Sequence, residues 1–550
     1  MDNYSNKNHY VENGLCFTKD HIPVQKLSLY HIPDNVTIDD LHKHFSVFGR
    51  VISVQIYEKF KKVSLPEMDN FVVCHNESIE SFLPKTIQNT GSVLFASSSD
   101  AAKALATKIH HVNEYEIEVL ASDSWNQPEP QSSVDSSEEA HIFKIPDDCL
   151  LMILKLLPFA DQIHFGRVCK RLQTVYALSA RTIHKSIDLK IFGNLTFSDI
   201  RDFFYYAGPY VEHICGKGLI SFIRNELIFS CLGSNCINLK SIRLKNVLIS
   251  TKTYFETFSN INKLEILALD MCHLTDGDLM AFKNLKCLKE LSLCANRITG
   301  SNLMKLPNSI EKLNLSCCKD VKSENLISMF ETLANLKVLY ICKIPTDFPR
   351  NARCLSLEKL RTDLNHESQC EDIAKLPLLK GIFICSIAEV DLFNKLFDQL
   401  VKHKSEQLEE IAIDPAHALT KQMLIQIAKL SGLKRLTLPD AISIDSVVAN
   451  ELANLSNLEY INLIHCLQLT NSDVLNLLLR CPKLRELHLT YCSKITEQLV
   501  NEIIKRMQLW CKKYERKLPI CIYGYETNIN IQNCSLDGAT KDIVKVFMDF

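Results

Sequence analysis

From about residue 239 to the C-terminus the apolar positions recur in one spacing. Leu264, Leu267, Leu269, Cys272 and Leu274 set a template that Leu288, Leu291, Leu293, Asn296 and Ile298 repeat residue for residue. It returns as Ile310, Leu313, Leu315 and Cys318, as Leu458, Ile461, Leu463 and Cys466, and as Leu484, Leu487, Leu489 and Cys492, at a period of roughly 22 to 29 residues. Weaker copies begin at Leu239, Leu336, Leu357, Leu379, Leu408 and Leu433, and the one at Leu357 lacks its third apolar residue at Thr362. The spacing predicts roughly eleven units. A unit this short cannot bury its own apolar edge, so neighbours must stack into one core, and the predicted product is a curved solenoid with a long concave binding face. Along each strand the repeating apolar residues point inward and those between them point outward. Among the outward positions Tyr340, Phe383 and Tyr460 are candidate anchors for a partner. Glu410, Asp414, Arg435, Asn462 and His488 are candidate specificity contacts beside them.

Upstream the pattern changes. Residues 1–22 are polar, carry no apolar run and are expected to be disordered. Residues 23–121 read as β-α-β-β-α-β, the split βαβ arrangement. Ile38, Leu41, His44 and Phe45 form a helical stripe, Phe48-Gly49 ends it, and Val51, Ser53, Val54 and Ile56 alternate as a strand. Together with Asp100-Ala101, Lys103-Ala104-Leu105, Tyr115, Ile117 and Val119, these positions resemble an RNA-recognition motif, which implies a small α+β ferredoxin-like domain. The residues that stack RNA bases in that family are aromatic, and here those positions fall on Ser28, Thr90 and Ser92, while Gln88 stands where Lys or Arg is usual. Each missing stack is worth about 1–3 kcal/mol, so any RNA binding is predicted to be weak. Tyr30, Tyr57, Lys59, Lys61 and Lys62 are the remaining candidate RNA contacts.

Residues 122–140, reading SDSWNQPEPQSSVDSSEEA, have the serine, proline and acid content of an exposed linker. Residues 141–186 then form a helical pattern. Ile145-Pro146-Asp147 opens a helix with Pro in an early position and acid near the positive dipole end. Leu150, Ile153, Leu154 and Leu157 follow on a stripe that Pro158 stops, and a second helix with Asp161, Ile163 and Phe165 leads into Val168-Cys169-Lys170-Arg171-Leu172. This string resembles an F-box, departing from it in Leu172, where Trp is common, and in Ile145, where Leu is usual. An F-box followed by cysteine-containing repeats over 187–550 resembles the F-box/leucine-rich-repeat substrate receptors of cullin-type ubiquitin ligases. That resemblance implies that Ile145, Pro146, Leu150, Ile153, Leu157, Pro158, Val168, Cys169 and Leu172 dock on a Skp-family adaptor joined to a cullin. It implies as well that the concave-face residues hold a protein substrate for ubiquitination and degradation, and that the chain is no enzyme itself. The alternative is an RNA-associated protein in which the N-terminal domain binds RNA and the repeats act as a protein scaffold.

Composition narrows this further. A net charge of −2 over 550 residues provides no general field for nucleic acid or anionic membrane. No apolar run reaches the ~18 residues of a membrane span and no secretory h-region opens the chain, so an intracellular, cytoplasmic or nuclear, protein is expected. None of the 22 cysteines forms a CxxC pair, and Cys272, Cys318, Cys466 and Cys492 share one repeat position. They are expected to be small buried residues that turn the chain out of the strand, with no metal or cofactor involved. No phosphate-binding glycine loop, HExxH, GxSxG or kinase signature occurs. His465 beside Cys466 is expected to diverge from it, because the cysteine points inward.

Overall fold

A computed structural model describes residues 9–18, 21–33, 35–57, 89–122, 127–128, 141–218, 221–345, 355–414, 416–514, 518–536 and 540–548. The fold divides into two compact units, the residues up to Pro146 together with Arg167–Lys170, and Asp147–Gly166 together with the residues from Arg171 onward. Among the described residues no helix is long and apolar enough to cross a membrane.

The first unit holds an antiparallel five-stranded sheet in the order Val51–Tyr57, Asn89–Phe95, Lys26–Ile32, Tyr115–Ala121, Ile109–Val112. Helices Ile38–Phe45 and Ser98–Ala104 supply the split βαβ topology, and Ile109–Val112 adds a hairpin strand to it. Thr37 caps the first helix in a reciprocal box with Asp40, and hydrogen bonds from the Thr37 hydroxyl, the Thr37 N–H and the Asn113 side chain hold the Asp40 carboxyl down to about 2. Leu27, Leu29, Leu41, Phe45, Val93, Phe95, Ile117 and Val119 form the core between sheet and helices.

Two expectations about the boundaries of this domain need correction. Residues 1–22 are not wholly disordered: His9–Glu12 and Leu15–Thr18 pair as a hairpin through Asn13-Gly14, both at positive φ (51° and 78°), the sequence signature of a tight two-residue hairpin turn. Cys16 of this hairpin is buried in the domain core, its N–H donates to Ser98 Oγ at 3.0 Å and its carbonyl accepts from the same hydroxyl at 2.6 Å, and burial pushes its thiol up to about 11. The linker does not begin at Ser122 either. Gln127 is buried, its Oε1 accepts from the N–H groups of Gln25 and Lys26 at 2.7 Å, and its Nε2 donates to the carbonyls of Lys26 and Ser122. One amide side chain thus closes the open end of the strand Lys26–Ile32, as buried backbone groups require. The rest of the expected linker, residues 123–126 and 129–140, lies outside the described residues.

The second unit begins with the helices Asp147–Leu156 and Phe159–Arg167, continues with Lys170–Ile183, and runs directly into the solenoid. The solenoid is one 15-stranded parallel sheet, from Ser186–Asp188 to Val544–Phe547, with α- or 3-10 helices between most successive strands. Its middle row is apolar and buried: Ile242, Leu267, Leu291, Leu313, Leu339, Leu360, Ile382, Ile411, Leu436, Ile461, Leu487 and Ile522. Thr362 is also buried, paired with Ile384, so its repeat keeps the inward geometry with a smaller, hydroxyl-bearing side chain in place of leucine or isoleucine.

The sequence predicts roughly eleven units, and the sheet exceeds this at both ends. The strand His213–Lys217 has Gly216 where the template has Leu, and a Cβ there would meet Leu189 Cβ at 2.9 Å, so the neighbouring turn already fills the space. At Ile520–Tyr523 the template positions read Pro519, Ile522 and Gly524, which leaves one apolar residue of three.

A second periodicity runs along the edge where strands begin. Before every strand from Ser186–Asp188 to Glu486–His488 the preceding residue alternates in sign: Lys185, Glu212, Lys240, Glu265, Lys289, Glu311, Lys337, Glu358, Lys380, Glu409, Lys434, Glu459, Arg485. Ion pairs join Lys240 to Glu212 at 2.7 Å, Lys289 to Glu265 at 3.2 Å, Lys337 to Glu311 at 2.8 Å, Lys380 to Glu358 at 3.0 Å and Lys434 to Glu409 at 2.9 Å. The leucine spacing treats all repeats as equal, whereas this ladder distinguishes odd from even ones. A repeat that slipped by one place would set like charges side by side.

Candidate functional site

The helix Asp147–Leu156 is apolar on two sides. Leu150 and Leu154 face the interior and are fully buried, whereas Met152, Ile153 and Leu156 form a second stripe in solvent, Leu156 at 85% exposure. A helix that is apolar nearly all round is normally covered all round, and this second stripe is left uncovered among the described residues. The helix is held by the Arg171 guanidinium, which donates to Asp147 Oδ1 through Nε at 3.0 Å and Nη2 at 2.7 Å. Gly166 lets the following helix approach Tyr176, whose ring lies 3.0 Å from where a Cβ would stand.

The nine expected adaptor contacts separate by burial. Pro146, Ile153, Pro158 and Val168 are exposed, and Ile145, Leu157 and Cys169 are half-buried. Leu150 and Leu172 are buried in the core, at 0% and 2% exposure, and support the hairpin from within. Met152 and Leu156, exposed on the same helix, were not among the expected contacts. Their spacing is a helical i, i+4 pair, offset from the Leu150/Leu154 stripe, and a search for the second stripe would have found them.

Where the third helix passes into the first strand, His184 sits among the rings of Phe159 at 5.5 Å, Tyr176 at 5.9 Å and Phe203 at 5.3 Å. Phe159 and Tyr176 belong to the helices of residues 147–183, Phe203 to the first helix of the solenoid, so this aromatic seam fixes one to the other. Nε2 of His184 is buried without a hydrogen-bond partner among the described residues. Burial pushes its pKa down to about 4.

On the outward sheet face the expected contacts fall into two groups. Tyr340 and Phe383 meet edge to face at 6.4 Å, with Arg361 on the strand between them and Lys312 Nζ 5.7 Å over the Tyr340 ring. Further along, Glu410 accepts from Lys359 at 2.5 Å and Arg435 at 3.4 Å, and the Arg435 guanidinium lies 3.9 Å over the Tyr460 ring. Tyr460 leads to His488 at 5.1 Å, His488 stacks on Tyr523 at 4.2 Å, and Tyr523 stacks on Phe547 at 4.7 Å. Asn462 turns its Oδ1 back to the N–H of Ile464 at 3.1 Å, and Asp414 is exposed at its strand's end. Arg361, Tyr523 and Phe547 were not among the expected contacts, the last two because their strands lack the leucine template.

The repeat cysteines are buried. Cys318 and Cys492 donate to the carbonyls of Leu293 and Leu463 in the preceding repeat, each at 3.1 Å. Asn296, in the same position, accepts from the N–H groups of Cys272 and Leu274. Burial pushes the thiols of Cys272, Cys318 and Cys492 up to about 11 and that of Cys466 higher still, which keeps them protonated. His465 pairs with Asp440 at 2.5 Å while the Cys466 thiol points inward to the Leu438 carbonyl. Among the described residues no group of three or more His, Cys, Asp or Glu side chains is placed to hold a metal ion.

In the first unit Ser28 and Ser92 are on the outer sheet face. Ser28 Oγ lies 2.8 Å from Ser122 Oγ, and Ser92 Oγ lies 3.2 Å from the Tyr57 hydroxyl. Tyr30 and Tyr57 are exposed. Lys59, Lys61 and Lys62 lie outside the described residues.

Residues 142–175 match the family model described as F-box domain. The chain thus carries an F-box followed by a parallel-sheet repeat solenoid. It is 21% identical over 531 residues to the Caenorhabditis elegans protein named "Putative RNA-binding protein EEED8.10", a match covering 88% of this chain and 69% of that protein. It is 22% identical over 237 residues to "F-box/LRR-repeat protein 4" of Bos taurus, covering 40% of this chain and only 37% of that relative. Among solved structures, a chain of the yeast Rad7 and Elc1 complex superposes with a TM-score of 0.39 at 14% identity, over 74% of this chain and 90% of that one. An internalin of Listeria monocytogenes superposes at 0.30 and 18% identity, over 61% and 90%.

Proposed function

We propose that this protein is the substrate-recognition subunit of an SCF-type ubiquitin ligase: its F-box docks on a Skp-family adaptor and through it on a cullin, and its solenoid holds a protein substrate for ubiquitination and degradation. The observation that carries the reading is the bare Met152, Ile153 and Leu156 stripe on a helix inside the F-box match. The mechanism needs no chemistry from this chain. A substrate lysine held at a fixed distance from a ubiquitin-loaded enzyme reacts almost intramolecularly, and the gain is effective concentration. That gain depends on rigidity between docking helix and solenoid, which the His184 seam provides. Apolar anchors of this kind cost about 2 kcal/mol or more on truncation. Met152→Ser with Leu156→Ser is therefore expected to abolish recovery of adaptor and cullin with the chain while its thermal unfolding stays unchanged. Recovery at the wild-type level rejects the proposal.

A second reading, an RNA-associated protein with the repeats as scaffold, draws support from the name of the Caenorhabditis elegans relative matched over most of the chain. Against it stand Ser28, Thr90 and Ser92 in place of stacking rings.

A further inference from the structure

Among the described residues the last strand of the sheet, Val544–Phe547, pairs with Ile520–Tyr523 on one side and with no strand on the other. Ile520 N–H donates to the Ile543 carbonyl and Gly524 N–H to that of Phe547. Strand alternation then turns the N–H and C=O groups of Val544 and Val546 toward the open side. Such an edge is a template for another strand.

Its side chains say what that strand should carry. The ring ladder Tyr460, His488, Tyr523, Phe547 is closed at one end by the Arg435 guanidinium. At the other end no residue stacks on the outer face of Phe547 among the described residues, and the ring is 40% exposed. Two residues earlier on the same face, Lys545 is exposed and forms no ion pair among the described residues. Val546 between them points to the inner side, in line with Ile522.

We infer that this edge binds an extended peptide segment of the form acid, apolar, aromatic, added as a further parallel strand. The acidic side chain lies beside Lys545, the apolar one continues the inner row beyond Val546, and the aromatic one extends the stack on Phe547. The site stands apart from the ligase reading, since it does not depend on whether an adaptor docks.

The test is fluorescence anisotropy of labelled peptides with the full chain, each peptide carrying Glu-Val-Phe, Lys-Val-Phe, Glu-Val-Ser or the reversed Phe-Val-Glu between Gly-Ser flanks. Glu-Val-Phe is expected to bind tightest, with loss of the ring or reversal of the chain weakening it by about fivefold to tenfold. Lys545→Glu should exchange the preference between Glu-Val-Phe and Lys-Val-Phe, and Val546→Pro, which removes an outward N–H, should abolish binding. The charge exchange decides the matter even where the proline variant unfolds. Equal binding of all four peptides overturns the proposal, as does a concentration-dependent dimer through this edge that leaves no peptide binding.

Discussion

Acidification should weaken the seam between the F-box helices and the solenoid, and His184 sets how much. Its ring is enclosed by Phe159, Tyr176 and Phe203, and burial holds its pKa at about 4 against an ordinary value of 6.5. The unfolded chain therefore takes up a proton that the native state refuses. Stability fully present above about pH 6.5 is lost as pH falls toward 4. At 1.36 kcal/mol per unit the whole shift is worth about 3 kcal/mol, of which about 2.5 kcal/mol is spent by about pH 4.5. Carboxylates elsewhere also titrate in this range, so the useful quantity is a difference. His184→Leu keeps the volume, removes the orphaned Nε2 and cannot be protonated, and at neutral pH it should be close to neutral in effect. Urea unfolding of wild type and variant at about pH 7 and about pH 4.5, followed by near-UV circular dichroism, should show the wild type losing about 2.5 kcal/mol more than the variant. Parallel losses refute the reasoning, because they mean that the ring is solvated or finds a partner for its proton in the native state.

Three further outcomes are expected. Lys337→Glu places three acids in a row on the strand-start ladder, with Glu311 and Glu358 on either side, so its melting temperature should fall below that of Lys337→Met, and the gap between the two should close in high salt; a gap indifferent to salt contradicts an electrostatic ladder. Gly432→Ala brings a Cβ to 2.2 Å from the Glu406 carbonyl oxygen, a backbone atom that cannot swing aside, and should cost about 1–3 kcal/mol in denaturant unfolding; an unchanged midpoint contradicts the close approach. Labelled single-stranded RNA pools titrated into the full chain at physiological salt should bind more weakly than micromolar, since Ser28 and Ser92 offer hydroxyls where bases would stack; submicromolar binding favours the RNA-associated reading.

The solenoid was legible because leucine spacing and strand geometry are one constraint: each inward side chain must meet its counterpart in the next repeat, and Leu291, Leu313 and Leu339 do so in register. Legibility failed where another group does the leucine's work. Leu189 fills the place over Gly216, and Pro519 and Gly524 bracket a strand recognisable only by Ile520 and Ile522. The hairpin at Asn13-Gly14 had a strong local signal that the polar composition of the first 22 residues obscured. Gln127 could not have been read from a serine- and proline-rich stretch, because its role depends on backbone groups 101 and 102 residues away. At the F-box, apolarity located the helix but not its faces. Leu150 and Met152 look alike in sequence, and only packing shows that one supports the core and the other stands in solvent.

That division of faces is where the account is most exposed. The direct test is the affinity of the purified full-length chain for a purified Skp-family adaptor, measured by isothermal titration calorimetry, for the wild type, Met152→Ser/Leu156→Ser and a solenoid-face control, Tyr340→Ser. The account predicts saturable one-to-one binding that the helix pair eliminates and Tyr340→Ser leaves untouched. Absence of binding by the wild type, or binding that survives loss of Met152 and Leu156, contradicts it.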